Sequence, residues 1–180
     1  EWGIGVDGEY QTYIKSYMIN EWNRLISKKN LENISYKSMR IFLFIFAKSI
    51  KKILDQNKDW NALVIGDEKR EEINLIHKNA SILGFKKHNE VINIFKKTSI
   101  TVACSRWEEP FGRTSLEASA NGCAVIITNK GGLPETITNG IILKRLNSKD
   151  LEKTIENLIK NKNKRKRIQK LSLENFYLTN

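Results

Sequence analysis

Cysteine is scarce in this 180-residue chain, with only Cys104 and Cys123 present. Two thiols do not make a disulfide framework or a metal cluster, so both are read as buried, reduced core residues of a cytosolic protein, with an incidental disulfide as the alternative. Long apolar runs are also missing. The longest, residues 41–47, falls far short of the roughly 20 residues that a membrane span needs. No basic n-region or cleavage pattern opens the chain, so a secretory signal is not expected at this end. Glu1 is not an initiator Met, and this predicts a processed chain or a fragment. Glycine is lacking in one telling place: none occurs between Gly8 and Gly66. A doubly wound α/β domain normally follows its first strand with a glycine-rich turn, because only glycine lets backbone approach a phosphate closely. There is no Asp-x-Asp and no internal repeat.

What is present places the chain among soluble globular proteins, with 40% hydrophobic and 28% charged residues. Its length fits one domain, or a domain with an appendage, and is too short for two full α/β lobes. The net charge is +11, with Lys and Arg concentrated in residues 48–58 and 160–170. Such stretches suit an anionic membrane surface or nucleic acid. Biased composition with solvated lysines is the favoured account, and nucleic acid is disfavoured because no aromatic is interleaved in residues 160–170 for stacking.

From Phe46 the pattern alternates. Apolar positions 46, 47, 50, 53 and 54 mark one helix face. Residues 62–65 read as a buried strand ending at Gly66, residues 68–78 as a charged helix, and residues 80–83 as a short strand ending at Gly84. Residues 89–97 form the next helix, residues 100–104 and 124–128 two strands, and residues 141–143 a last short strand. Residues 150–160 repeat one apolar face, with Ser148 as the expected N-cap. This alternation predicts a doubly wound parallel sheet, a Rossmann-like α/β fold. The first 45 residues read less well. Residues 41–47 suit either a first strand or a backward extension of the following helix, and the domain is taken as residues 37–180, with residues 1–36 as a linker or ill-defined segment.

The most informative stretch is Glu109-Pro-Phe-Gly-Arg-Thr-Ser-Leu-Glu117, set between two strands and opening a helix at Gly112. A helix N-terminus presents free N–H groups and partial positive charge, so phosphate is expected at Gly112, Arg113 and Thr114. An ionised carboxylate only accepts hydrogen bonds, so Glu109 and Glu117 suit hydroxyl donors instead. Glu117 lies roughly 7.5 Å into the helix at about 1.5 Å per residue, while Glu109 precedes it. A ligand with hydroxyls on both sides of a diphosphate, such as a nucleotide sugar, has that shape. Acids near a helix start also occur simply as surface electrostatics. The flanking order of strand, loop, helix, Gly122 and strand favours the ligand, because ligands of open parallel sheets bind beyond the carboxyl ends of the strands.

With these residues and Gly131-Gly-Leu-Pro-Glu135, the chain resembles the C-terminal domain of glycosyltransferase family 4, retaining enzymes of GT-B fold, from about Phe46 to Phe176. Gly5-Val-Asp7 is similar to the family's entry into that domain. The resemblance implies that Glu109 holds the donor hexose and Glu117 the ribose diol, and that amides of Phe111, Gly112, Arg113 and Thr114 face the diphosphate. It implies a base near Gly84 and Phe85, with an ordinary core aromatic as the equal alternative for Phe85. Gly131 and Gly132 either bring amides to the donor or only make a tight turn, and Glu135 is expected to cap the helix that follows. Arg106 and Arg113 either add charge to the phosphates or are solvated. Glu108 leaves the assignment of the first acid open. His77 and His88 are expected at the surface, outside any motif.

The implied reaction is transfer of a sugar from a nucleoside diphosphate sugar, the co-substrate, to a polysaccharide or lipid-linked acceptor, with retention. No other cofactor and no metal are expected. A cytoplasmic place, peripheral at the inner face of the membrane, would follow. The family's glycine-rich basic turn is missing from residues 28–45, and Lys37 and Arg40 are not assigned in its stead. An upstream frameshift or recombination would explain this. The N-terminal lobe that carries the acceptor site is expected to be missing, so the chain alone is expected to be incomplete for catalysis. A non-catalytic remnant of the same fold and a nucleotide-sugar epimerase are the alternatives.

Overall fold

Short β-branched and aliphatic runs alternate with amphipathic helices, and burying both sides of such strands requires a parallel sheet covered on two faces. The computed structural model describes residues 10–16, 31–66 and 75–176. Its strands are β1 (Tyr10–Ser16), β2 (Ala62–Gly66), β3 (Ala80–Gly84), β4 (Thr98–Ala103), β5 (Ala124–Thr128) and β6 (Ile141–Leu143). They form one sheet in the order β3-β2-β1-β4-β5-β6, with every described pairing parallel. This is the doubly wound arrangement, whose strand order reverses between β1 and β4.

The helices are α1 (Leu31–Gln56), α2 (His88–Phe95), α3 (Arg113–Ala120), α4 (Ser148–Lys160) and α5 (Lys162–Glu174). Helices α1 and α4 cover one face. Phe46, Ile50 and Ile53 pack with Leu151, Ile155 and Leu158 over Val64, Val102 and Ile126. Helices α2 and α3 cover the other, where Val91, Phe95 and Ala118 meet Leu63, Val125 and Ile127. The alternation along β5 is therefore between two cores, and that is why residues 124–127 are all apolar. Among the described residues no helix is long and apolar enough to cross a membrane.

One open reading is decided and three expectations change. Residues 41–47 are helical, inside α1. A continuous apolar run does not by itself distinguish strand from helix, and here Phe42, Ile45 and Phe46 turn inward while Phe44 is exposed. The sheet also begins earlier than residue 37. Tyr10–Ser16, within the segment read as a linker, pairs with both β2 and β4. The expected helix over residues 68–78 falls largely outside the described residues, and residues 75–79 are loop and turn. At α4 the N-cap is Asn147 rather than Ser148, its side chain accepting from the amide of Asp150 at 2.8 Å.

The basic stretch of residues 160–170 is mostly solvated, with one exception. Arg165 is buried. Its guanidinium lies 5.0 Å from the centroid of the Trp60 ring, and Nη1 donates to the carbonyls of Leu158 at 2.6 Å and Ile159 at 3.1 Å. Those carbonyls belong to the last turn of α4, where acceptors lack intrahelical donors and a cation is favoured. Arg165→Met is expected to cost about 2–3 kcal/mol, the scale of charge-assisted bonds plus a desolvated cation–π contact. Arg165→Lys should recover only part of this, because a point charge lacks the planar fork. Urea unfolding checks it: the midpoint falls with an unchanged slope.

Candidate functional site

The strand order reverses between β1 and β4, the place where open α/β sheets bind ligands beyond the carboxyl ends of their strands, and the loop after β4 starts there. Thr128, at the end of β5, fixes the base of that loop: its hydroxyl donates to the carbonyl of Ser105 at 2.6 Å and accepts from the Ser105 amide at 2.9 Å. The loop then passes through Glu108, Glu109 and Pro110 to Gly112, the N-cap of α3, at a φ of 80° and with no side-chain cap. A helix leaves its first N–H groups without intrahelical partners. Thr114 is buried in this first turn, and its Oγ1 has no hydrogen-bond partner in the structure. Ser115 donates to the carbonyl of Gly112 at 2.7 Å and lies 2.5 Å from the hydroxyl of Thr136, tying α3 to the 3-10 turn Leu133–Thr136.

The two acids of the sequence motif stand on either side of this N-terminus in different surroundings. Glu109 is half-buried, and burial pushes its carboxyl up to about 7 from an ordinary 4.5. Glu117 is largely covered, with Oε1 3.4 Å from Arg113 Nη2 and 3.7 Å from His88 Nδ1. His88 is at the surface as expected, its side chain 52% exposed, and it opens α2 and reaches across to α3. His77 is not a surface side chain, being 8% exposed. Its Nδ1 accepts from the Asn79 amide at 3.0 Å, and Nε2 faces Asp55 at 3.4 Å.

Glu108 and Glu109 are told apart by their partners. Glu108 accepts from Lys130 Nζ at 2.7 Å and from the Gly131 amide at 2.6 Å, and these two donors, Lys130 first, hold its carboxyl below the ordinary carboxylate range. The amide of Gly132 donates to the Glu109 carbonyl at 2.6 Å. The expectation that Gly131 and Gly132 offer amides to a donor is therefore revised in favour of the tight-turn alternative, because the Gly131 N–H is taken by the Glu108 carboxylate and the Gly132 N–H by the Glu109 carbonyl. The glycines are there because two main chains touch. A Cβ at Gly131 would lie 2.1 Å from the Glu109 carbonyl oxygen, and one at Gly132 would lie 2.5 Å from that of Pro110. The N-cap of the 3-10 turn is Gly132, which has no side chain to cap with, and Glu135 stands in the first turn, where an acid is favoured.

Gly84 ends β3 with a φ of 62°, and Phe85 after it is 56% exposed, so Phe85 is not an ordinary core aromatic. The His88 contact links this loop to Glu117. Phe111, Arg113 and Arg106 are exposed on the same loop–helix segment. Cys104 and Cys123 are free and buried. They belong to opposite cores, and burial pushes both thiols up, Cys123 to about 12.

Residues 22–172 match the family described as glycosyl transferases group 1. The chain belongs to that family. An uncharacterised glycosyltransferase of Methanocaldococcus jannaschii is 32% identical over 154 residues, 78% of this chain and 44% of that protein. Among solved structures, the C-terminal domain of a group 1 glycosyl transferase (LpcC) from Francisella tularensis superposes with a TM-score of 0.67 at 26% identity, covering 94% of this chain and 85% of the other. HepE of Anabaena, solved in complex with UDP and glucose, shares the fold with a TM-score of 0.65 at 17% identity, covering 93% of this chain and 43% of HepE. The group 1 chain described here thus has the α/β architecture of the C-terminal half of a GT-B fold. It spans less than half the length of the curated relatives it matches, 44% and 38% for two of them. The family match begins well before Phe46, so likeness does not stop where the motifs thin out. The glycine-rich turn was expected within residues 28–45, of which 31–45 lie in α1, while residues 17–30, which follow β1, lie outside the described residues.

Proposed function

We propose that this chain is the donor-binding half of a retaining, family 4-type glycosyltransferase. It takes a nucleoside diphosphate sugar and, with the lobe that completes the fold, transfers the sugar to a polysaccharide or lipid-linked acceptor. The observation that carries this reading is the uncapped N-terminus of α3, flanked by Glu109 and Glu117. Free amides at Gly112, Arg113 and Thr114 would take the diphosphate, Glu117 the ribose diol and Glu109 the hexose hydroxyls. The base would lie toward Gly84, Phe85 and His88. Catalysis then rests on positioning and on stabilising charge as the diphosphate leaves. No metal ion is assigned a part.

Calorimetric titration with UDP, GDP and ADP and their hexose conjugates tests the reading. One base series is expected to bind, and failure of every one of these ligands would overturn it. The pH dependence adds a second readout. Burial favours the neutral form of Glu109, which below about pH 7 accepts hydroxyl donors less well. Affinity for the sugar nucleotide, whose diphosphate does not titrate in this range, should rise about tenfold between roughly pH 6 and 8, following the ionised fraction. Glu109→Gln should flatten that rise. For stability the sign is opposite. With a folded-state value near 7 against an ordinary 4.5, the unliganded fold loses stability as pH rises from the unfolded value through the folded one, and Glu109→Gln removes the loss.

A further inference from the structure

Glu108 grips the neighbouring loop by two donors, Lys130 Nζ at 2.7 Å and the Gly131 amide at 2.6 Å. That loop is anchored in its turn: the Lys130 amide donates to the Thr128 carbonyl at 3.0 Å at the end of β5, and the Leu133 amide donates to the Lys130 carbonyl at 3.1 Å. Gly132 returns a bond of 2.6 Å to the carbonyl of Glu109. The backbone of Glu109 is thereby held from both sides, by the residue before it and by a main chain close enough that a Cβ at Gly131 would lie 2.5 Å from its nitrogen. We propose that Glu108 is a positioning residue, a strap from the β4 loop to the β5 loop that presents the Glu109 carboxylate to the hexose of the donor. The proposal rests on the donor-binding reading above.

Magnitudes separate this role from general stabilisation. The Glu108 side chain is 65% exposed and that of Lys130 41%, and an exposed ion pair adds little to global stability. A displacement of about 1 Å at a reacting or binding group can instead cost up to about 100-fold. Loss of the strap should therefore be felt at Glu109 rather than in the melting temperature. It should also be confined to ligands that carry a sugar, since the diphosphate and ribose positions are built on α3.

The test is calorimetry on the 180-residue chain with UDP and UDP-glucose, or the matching GDP or ADP pair if that base binds, combined with thermal melts. Glu108→Ala is expected to weaken the sugar nucleotide about 5- to 20-fold, to change the affinity for the nucleoside diphosphate less than about twofold, and to leave the melt nearly unchanged. Glu108→Gln keeps an acceptor for the Gly131 amide and should restore most of the affinity. Glu109→Ala should show the same selective loss, and adding Glu108→Ala to it should cost little more, because the two act through one contact. Equal losses for both ligands, additive losses in the double variant, or no loss overturn the proposal while the donor-binding reading survives. If the wild-type chain binds none of these ligands, both fail.

Discussion

Glu117→Ala is expected to lower affinity for the nucleoside diphosphate by about 30- to 100-fold, with the fold intact. An ionised carboxylate can accept from both hydroxyls of a ribose, and each hydrogen bond to a charged group contributes about 1.5–3 kcal/mol where the alternative is an unpaired group. The side chain is 14% exposed, so water does not fully substitute. Arg113 and His88 approach one of its oxygens from two different helices, which orients the carboxylate before any ligand arrives. The discriminating measurement uses a 2′-deoxynucleoside diphosphate. The wild-type chain should prefer the ribose form by about tenfold, the value of one such bond, and Glu117→Ala should bind the two alike. A variant that keeps the ribose preference would move the diol elsewhere.

The second large effect concerns Gly131. Both Gly131 and Gly84 hold positive φ, 53° and 62°, but their surroundings differ. A Cβ at Gly84 meets nothing within 4 Å, whereas one at Gly131 lies 2.1 Å from a backbone oxygen and 2.5 Å from a backbone nitrogen of Glu109. Gly84→Ala should therefore cost only the left-handed conformation, about 1 kcal/mol. Gly131→Ala carries the same cost plus a contact that no rotamer change relieves, so one main chain must move. A total of about 3–4 kcal/mol is expected, in the range of strained backbone with overpacking. Chemical denaturation of the two variants side by side measures the difference. Loss of the sugar-dependent part of the affinity for whichever sugar nucleotide binds should accompany Gly131→Ala alone. Equal costs for the two would show that the loops separate freely.

Strands β2, β4 and β5 were legible because parallel strands buried on both faces read as near-continuous apolar runs, and the more exposed edge strands β3 and β6 through their short aliphatic runs. Strand β1 was not, since Tyr-Gln-Thr-Tyr-Ile-Lys-Ser mixes polar and aromatic residues and lacks such a run, although it lies between β2 and β4. The candidate site divides along the same line. Glu109, Gly112, Thr114 and Glu117 declare themselves locally, through the spacing of a helix start. Glu108 does not, because what distinguishes it from Glu109 lies 22 and 23 residues away in Lys130 and Gly131. His88 was invisible for the same reason: its neighbour Glu117 is supplied by the packing of α2 beside α3 and by no feature of its own segment.

Helix α5 touches α3, α4 and β5, and so meets helices from both faces of the sheet. Leu173 lies under Gly122, where an added Cβ would be 3.0 Å away, and Ser172 and the Leu171 carbonyl bind Asn139 at 2.7 and 3.1 Å. The lysine-rich segment is therefore two populations of residues interleaved on one helix. Those facing outward, such as Lys166 and Lys170, are exposed and little constrained by packing. Arg165 is fixed on α4 and Trp60, whereas Leu173 packs under Gly122 at the far end of α3, so a mutation at Leu173 reaches the ligand end of the molecule through the helix it supports.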